Sequence, residues 1–289
     1  MIYLLLSILS SSMIYVVFKL LDNFKINTLY AIVINYFTAT IAGYVMHSKP
    51  ITLTEITEQN WFVGSLILGV LFITVFNLMA ATTQKSGLSV VSVASKMSVA
   101  IPIVFVIFYY NETTGILKVL GIILALVAVY LASIKTKKGI KVEQKNLIFP
   151  LLVFLGSGVI ETLIKFLEEN YVAENDVAFF STGVFLCAAV VGIIAGLLQF
   201  FQKKIKFTYK ELIGGIALGI PNYFSIYFFI NALRGSLDSS TVFIINNVAI
   251  VMLSTLLGIL FFQEKLLRKN WIGIALAIVS IILVAYTTY

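Results

Sequence analysis

Apolar stretches of about twenty residues recur from Ile2 to the final residue, Tyr289, each long enough to cross a hydrocarbon layer roughly 30 Å thick at 1.5 Å of rise per residue. No soluble core accommodates so many of them. Spans are predicted near residues 2–21, 28–46, 61–82, 88–109 and 115–134, and again near 147–167, 177–200, 211–232, 239–262 and 270–288. The runs are continuous rather than alternating, and a bilayer requires every backbone polar group to be paired within its own segment, so helices are expected and barrel strands are not. The predicted fold is an all-α polytopic membrane protein with ten transmembrane helices.

Composition agrees, since only 11% of residues are charged. Ten spans leave short connections, with no room for an extramembrane catalytic domain. The single cysteine, Cys187, lies in an apolar stretch and the single histidine, His47, in a connection, so neither an internal disulfide nor a Cys/His metal site is expected. No cofactor is expected. The first span lacks a basic n-region, and Ser10, Ser11 and Ser12 fall in its middle, so it reads as a retained helix rather than a signal peptide. Walker, HExxH and GxSxG motifs are absent, which argues against nucleotide-driven transport or hydrolysis within the chain; it is not expected to be an enzyme.

A basic segment, residues 135–146, divides the spans five and five, and the halves resemble each other. Phe18-Lys19-Leu20-Leu21-Asp22 corresponds to Ile164-Lys165-Phe166-Leu167-Glu168, with Ser11 and Ile14 matching Ser157 and Ile160 at an offset of 146. Gly64 and Gly69 correspond to Gly214 and Gly219 at an offset of 150. Asn111-Glu112 and Gly121 correspond to Gln263-Glu264 and Gly273 at an offset of 152. The chain therefore reads as a first repeat over 1–134, a linker over 135–146 and a second repeat over 147–289. Because five spans is an odd number, the second repeat enters the membrane from the opposite side, giving an inverted repeat of the kind that builds secondary transporters.

The paired five-span halves, the Asn111-Glu112 and Gln263-Glu264 pairs that close the fourth and ninth spans, and the following Gly121- and Gly273-containing spans are similar to the ten-helix, EamA-like branch of the drug/metabolite transporter superfamily. The resemblance covers essentially the whole chain. It implies a carrier of small organic metabolites, often amino acids and frequently outward, in a bacterial inner membrane, with both termini cytoplasmic.

Charge gives the opposite orientation. The face holding the odd-numbered connections carries fifteen Lys and Arg residues, whereas the other carries Lys49, Lys118, Lys165 and Arg234 beside the acidic group Glu168, Glu169, Glu174 and Asp176. Positive residues collect in cytoplasmic loops, which places the fifteen-charge face inside and both termini outside. The net charge of +7 reads as topology and contact with anionic lipid, and no nucleic-acid partner is expected.

Several polar residues interrupt the apolar spans. Lys96 falls about nine residues into the fourth span with Ser92 and Ser95 near it, where an intramembrane charge points to function unless the chain snorkels to an interface. Glu161, four residues before Lys165 on the sixth span, either pairs with that lysine along one helix or lines a cavity to meet an amine or a proton. Tyr15 holds the equivalent place in the first span and is a candidate hydroxyl for the same cavity. Asn246 and Asn247 lie roughly where Lys96 falls in the first half, and either bind ligand or bond between helices. Asn77, Asn222 and the Asn35-Tyr36 pair are weaker candidates of this kind, and Tyr227 with Phe224 and Phe228 forms a candidate apolar wall. Pro102 and Pro221 are expected to kink their helices. Gly64, Gly69, Gly214 and Gly219 form no GxxxG pairs and are expected to allow close packing. Glu112 and Glu264 read as interface anchors or gating contacts.

The function these residues suggest is secondary transport of a small zwitterion such as an amino acid, bound between the repeats, with Lys96 attracting a carboxylate and Glu161 an amine or a coupling proton. The alternatives are a carrier of nucleotide-sugar, sugar-phosphate or cationic drug and, from another class, a channel or a membrane scaffold or lipid-handling protein. The chain is expected to act as monomer or homodimer.

Overall fold

In the computed structural model, the residues described are 1–47, 52–86, 94–112, 115–133, 148–203, 208–263 and 267–286. Their helices are α1 Ile2–Asn23, α2 Thr28–Met46, α3 Leu53–Thr57, α4 Phe62–Ser86, α5 Ala100–Tyr109, α6 Ile116–Ser133, α7 Ile148–Tyr171, α8 Val177–Lys203, α9 Tyr209–Leu233, α10 Ser239–Phe262 and α11 Arg268–Tyr286. No strand occurs among the described residues, and the chain is an all-α polytopic membrane protein. A helix lies in each predicted span, and α2 and α10 keep the predicted bounds of 28–46 and 239–262. Among the described residues, seven helices are long and apolar enough to cross a membrane, while Ala94–Tyr109 and Ile116–Leu131 form shorter apolar helices. Residues 88–93 of the fourth span, the linker and Glu264 lie outside the described residues.

Large apolar side chains that a soluble protein would bury are exposed on these helices, among them Phe108 at 80% and Ile116 at 81%. That is the surface expected against lipid rather than water. Local signals set the helix ends. Asn27 caps α2 by accepting the Leu29 amide at 3.1 Å, and Thr52 with Glu55 forms a capping box on the short α3. Asn111 and Gln263, matched in the sequence halves, share left-handed backbone at φ 53° and 52°. Asn tolerates this region, and at both places it turns the chain out of a helix.

The described residues form two compact units, and each takes helices from both halves of the sequence. One comprises 75–162 and 232–289 together with Met1; the other comprises 2–74 and 163–231. In the first, α6 packs along α11, where Ser280 Oγ donates to the Gly121 carbonyl at 2.7 Å and Asn270 Nδ2 to the Leu131 carbonyl at 2.9 Å. A Cβ on Gly121 would meet Val284 at 2.5 Å, so this glycine is where the two helices touch.

In the second unit α2 packs against α8 and α9. The sequence does contain a GxxxG pair, Gly215 with Gly219 on α9, one residue out of register with the matched Gly214. A Cβ at Gly215 would lie 2.9 Å from the Ala31 carbonyl oxygen, and one at Gly219 2.7 Å from that of Asn35. Backbone contact of that kind is the packing small residues permit between membrane helices. The buried rings of Phe72, Tyr36, Phe185 and Tyr223 and the half-buried ring of Tyr227 follow one another at centroid distances of 5.9 to 6.4 Å.

Candidate functional site

Pro102 determines where Lys96 sits. Proline has no N–H for the carbonyl four residues earlier, that of Ser98. The helical turn at residues 94–97 gives way to a non-helical turn at Ser98 and Val99 before α5 begins. The break is bridged locally, with Ser98 Oγ donating to the Ser95 carbonyl at 2.6 Å and the Ile101 amide to the Ser98 carbonyl at 2.9 Å. Thus the break expected at Pro102 lies one turn upstream of it, at Ser98 and Val99, two residues after Lys96. Interrupted helices of this type occur in membranes where backbone lines a polar site.

Lys96 Nζ donates to Asn247 Oδ1 on α10 at 3.4 Å, a contact spanning 151 residues. Asn247 Nδ2 donates to the Phe243 carbonyl of its own helix at 3.2 Å, which orients the amide oxygen outward. Glu161 on α7 completes the group, its carboxylate acted on by the Lys96 charge and within reach of a hydrogen bond from the Asn247 side chain. Glu161 Oε2 is buried without a hydrogen-bond partner. Close helix approach brings α7 in, since a Cβ on Gly158, one turn before Glu161, would lie 2.4 Å from Ile101 Cδ1. All of these residues belong to one compact unit, and they come from both sequence halves.

Glu161 and Lys165, four residues apart on α7, meet different charges. Lys165 bonds Glu169 at 2.7 Å and Glu168 at 3.3 Å, and the cation acting on Glu161 is Lys96. The remaining candidates are distributed differently. Asn246 is buried beside Asn247, and Asn77 is exposed on α4 in the same unit. Tyr15, Asn222 and Tyr227 belong to the other unit, where Asn222 Nδ2 donates to Asn35 Oδ1 at 3.0 Å and Tyr227 stacks on Tyr223 at 5.9 Å. Asn35 is fully buried and its Nδ2 has no partner.

A second charge cluster was not anticipated. Lys118, 2% exposed on α6, meets Asp238 at 2.8 Å and Glu112 at 3.5 Å. Glu112 accepts the Ser240 amide at 3.2 Å and the Ser240 hydroxyl, so it caps the α10 N-terminus, where the positive end of the helix dipole favours a carboxylate. The sequence signal was a lysine three residues inside an apolar run, which reads equally well as a loop charge. Among the described residues, no group of three His, Cys, Asp or Glu side chains is placed to hold a metal ion.

Comparison with known proteins follows the same outline. Residues 145–286 match the EamA-like transporter family. A protein of Haemophilus influenzae (strain ATCC 51907 / DSM 11121 / KW20 / Rd), described as uncharacterized, is 28% identical over 290 residues, covering 98% of this chain and 97% of its own. A crystal structure described only as that of a protein superposes with a TM-score of 0.74 at 14% identity, covering 99% of this chain and 96% of that one. At that identity the likeness concerns the fold alone.

Proposed function

We propose, from the premise that the chain belongs to the drug/metabolite transporter superfamily through its EamA-like second half, that it is a secondary carrier of zwitterionic metabolites, amino acids above all. Membership makes it a multi-pass membrane transporter of small molecules. The finer reading rests on one observation: the Lys96 ammonium bonds the Asn247 amide and acts electrostatically on the carboxylate of Glu161 within the membrane helices. A zwitterion presents the complementary charges. Its carboxylate suits Lys96, its ammonium suits Glu161 Oε2, and Asn246 and Asn247 offer both donors and acceptors beside them. A phosphorylated cargo fits less well, because a phosphate site ordinarily gathers several cations or backbone amides, whereas among the described residues the cation acting on Glu161 is Lys96.

Alternating access of the two repeats exposes the site to each side of a bacterial inner membrane in turn, with protons as the candidate coupling ion. Counterflow in proteoliposomes with a panel of labelled amino acids tests the reading. Saturable exchange that is lost in both Lys96→Ala and Glu161→Gln supports it. Absence of exchange with every amino acid, from monodisperse protein, removes the zwitterion; unsaturable flux points instead to a channel.

A further inference from the structure

The first half of α10 is enclosed almost all round, since Ser239 to Ile244 and Asn246 to Val248 are all buried. Apolar burial on every side does not decide how such a helix is rotated about its axis, so its polar contacts do. Asp238 stands at the N-cap with non-helical backbone, φ −55° and ψ 143°, the place whose side chain ordinarily accepts the amide two or three residues on. It makes no such bond. Its carboxylate accepts instead from Lys118 at 2.8 Å, and the Ser240 amide and hydroxyl go to Glu112, 128 residues earlier in the chain.

A cap needed only to satisfy the helix end was available from Asp238 itself. Supplying it from the turn after α5 adds an attachment, and the attachment lies on the face that carries the site. Ser240 and Asn247 are seven residues apart, about 20° short of two full turns and about 10.5 Å along the axis. We infer that Glu112 and Ser240 are positioning residues, which hold the N-terminal end of α10 at one rotation and thereby keep the Asn247 amide opposite Lys96. This rests on the reading of Asn247 as part of the cargo site and extends it to the helix end.

Lys118 sustains the arrangement by drawing Asp238 away from the α10 amides and balancing the charge of Glu112. The contact being served is too long to set the rotation by itself, since Lys96 meets Asn247 at 3.4 Å and Asn247 Nδ2 is bonded to its own helix. All of these residues lie in one compact unit.

Counterflow KM for an exchanged amino acid tests the inference in a cycle of Glu112→Ala, Asn247→Leu and the double variant. Glu112→Ala should raise KM by about two- to tenfold, as for the loss of one hydrogen bond. It should add nothing once Asn247 is leucine, because its effect passes through that amide. KM does not register the amount of folded protein, so a loss of stability alone leaves it unchanged. Should Glu112→Ala not fold, Ser240→Ala keeps the amide cap, removes only the hydroxyl bond and should give the same pattern. Effects that multiply, or a KM that neither variant moves, overturn the inference.

A second measurement needs no cargo. Spin labels at Leu256→Cys on α10 and Ile123→Cys on α6, both exposed positions, are placed in protein carrying Cys187→Ala. Their distance distribution should shift or broaden when Glu112→Ala or Ser240→Ala is added, and an unchanged distribution overturns the inference. Unmodified protein that exchanges no amino acid overturns instead the zwitterion reading, and the label distances then decide alone whether Glu112 positions α10.

Discussion

Lys96 and Asn247 lie 151 residues apart, within the 150 to 152 offset that relates the later motifs of the two sequence halves, and they bond to each other at 3.4 Å. The contact joins a charged donor from the first half of the sequence to a neutral acceptor from the second. Replacing Asn247 with Leu removes the amide from both charges without changing either. The expected result is a raised KM for the exchanged amino acid, by about 10- to 150-fold for the roughly 1.5–3 kcal/mol of a hydrogen bond to a charged group. Counterflow rates against substrate concentration measure it, and an unchanged KM would show that the amide has no part in binding.

Gly158 sets how closely α7 approaches the broken segment that carries Lys96. A Cβ there would lie 2.8 Å from Ile101 Cβ and 2.9 Å from Ile101 Cγ1, atoms near the backbone with little freedom to move aside. Gly158→Ala is therefore expected to destabilise the protein by about 1–3 kcal/mol through overpacking, despite the better helix propensity of alanine. Adding Ile101→Ala removes the obstructing atoms and should recover part of the loss. Thermal unfolding in detergent of both single variants and the double variant gives the coupling; additive losses would mean the two residues do not compete for space.

Lys118 is buried between Glu112 and Asp238, and its loss leaves a carboxylate that is only 11% exposed without its cation. Lys118→Met is expected to cost about 3–5 kcal/mol. Asp238→Asn, at a carboxylate 39% exposed, should cost about 1 kcal/mol or less. The order of the two melting temperatures tests this assignment, since equal losses would mean that burial of Glu112 does not decide the cost.

The helices were legible because a bilayer turns segment length into a signal, and Asn27, Asn111 and Gln263 mark ends that an apolar run alone leaves blurred. The Pro102 break was legible too, displaced only by the four-residue reach of the missing hydrogen bond. Partner choice was not. Glu161 and Lys165 stand at the spacing of a helical pair, yet Lys165 turns to Glu168 and Glu169 while Lys96 supplies the charge at Glu161. Spacing along one helix cannot report which neighbouring helix lies across from it. Gly215 and Gly219 show a different loss, since aligning the repeats on Gly214 conceals the four-residue spacing that places α9 against the α2 backbone.

Asn35 on α2 is fully buried, and Asn222 Nδ2 supplies a hydrogen bond to its side-chain oxygen while its own Nδ2 lacks a partner. Asn222→Ala would leave the whole amide unsatisfied, at an expected cost of about 1–3 kcal/mol. Replacing both asparagines with Leu removes the polar groups together and should cost less than the single change. Unfolding in detergent compares the two; a double variant less stable than Asn222→Ala would mean that this amide pair fixes the helix contact itself.

Orientation follows from the fifteen Lys and Arg residues assigned to the odd-numbered connections. The first of these contains Phe24, which is 63% exposed, and the native Cys187 is buried, so a cysteine introduced at Phe24 reports its own side of the membrane. By the positive-inside rule that side is the cytoplasm. Phe24→Cys should resist a membrane-impermeant maleimide in intact cells and react once the cells are permeabilised. Labelling in intact cells would put the lysine-rich face outside and both termini in the cytoplasm, as the family resemblance implies, making this chain one whose helices override its charge asymmetry.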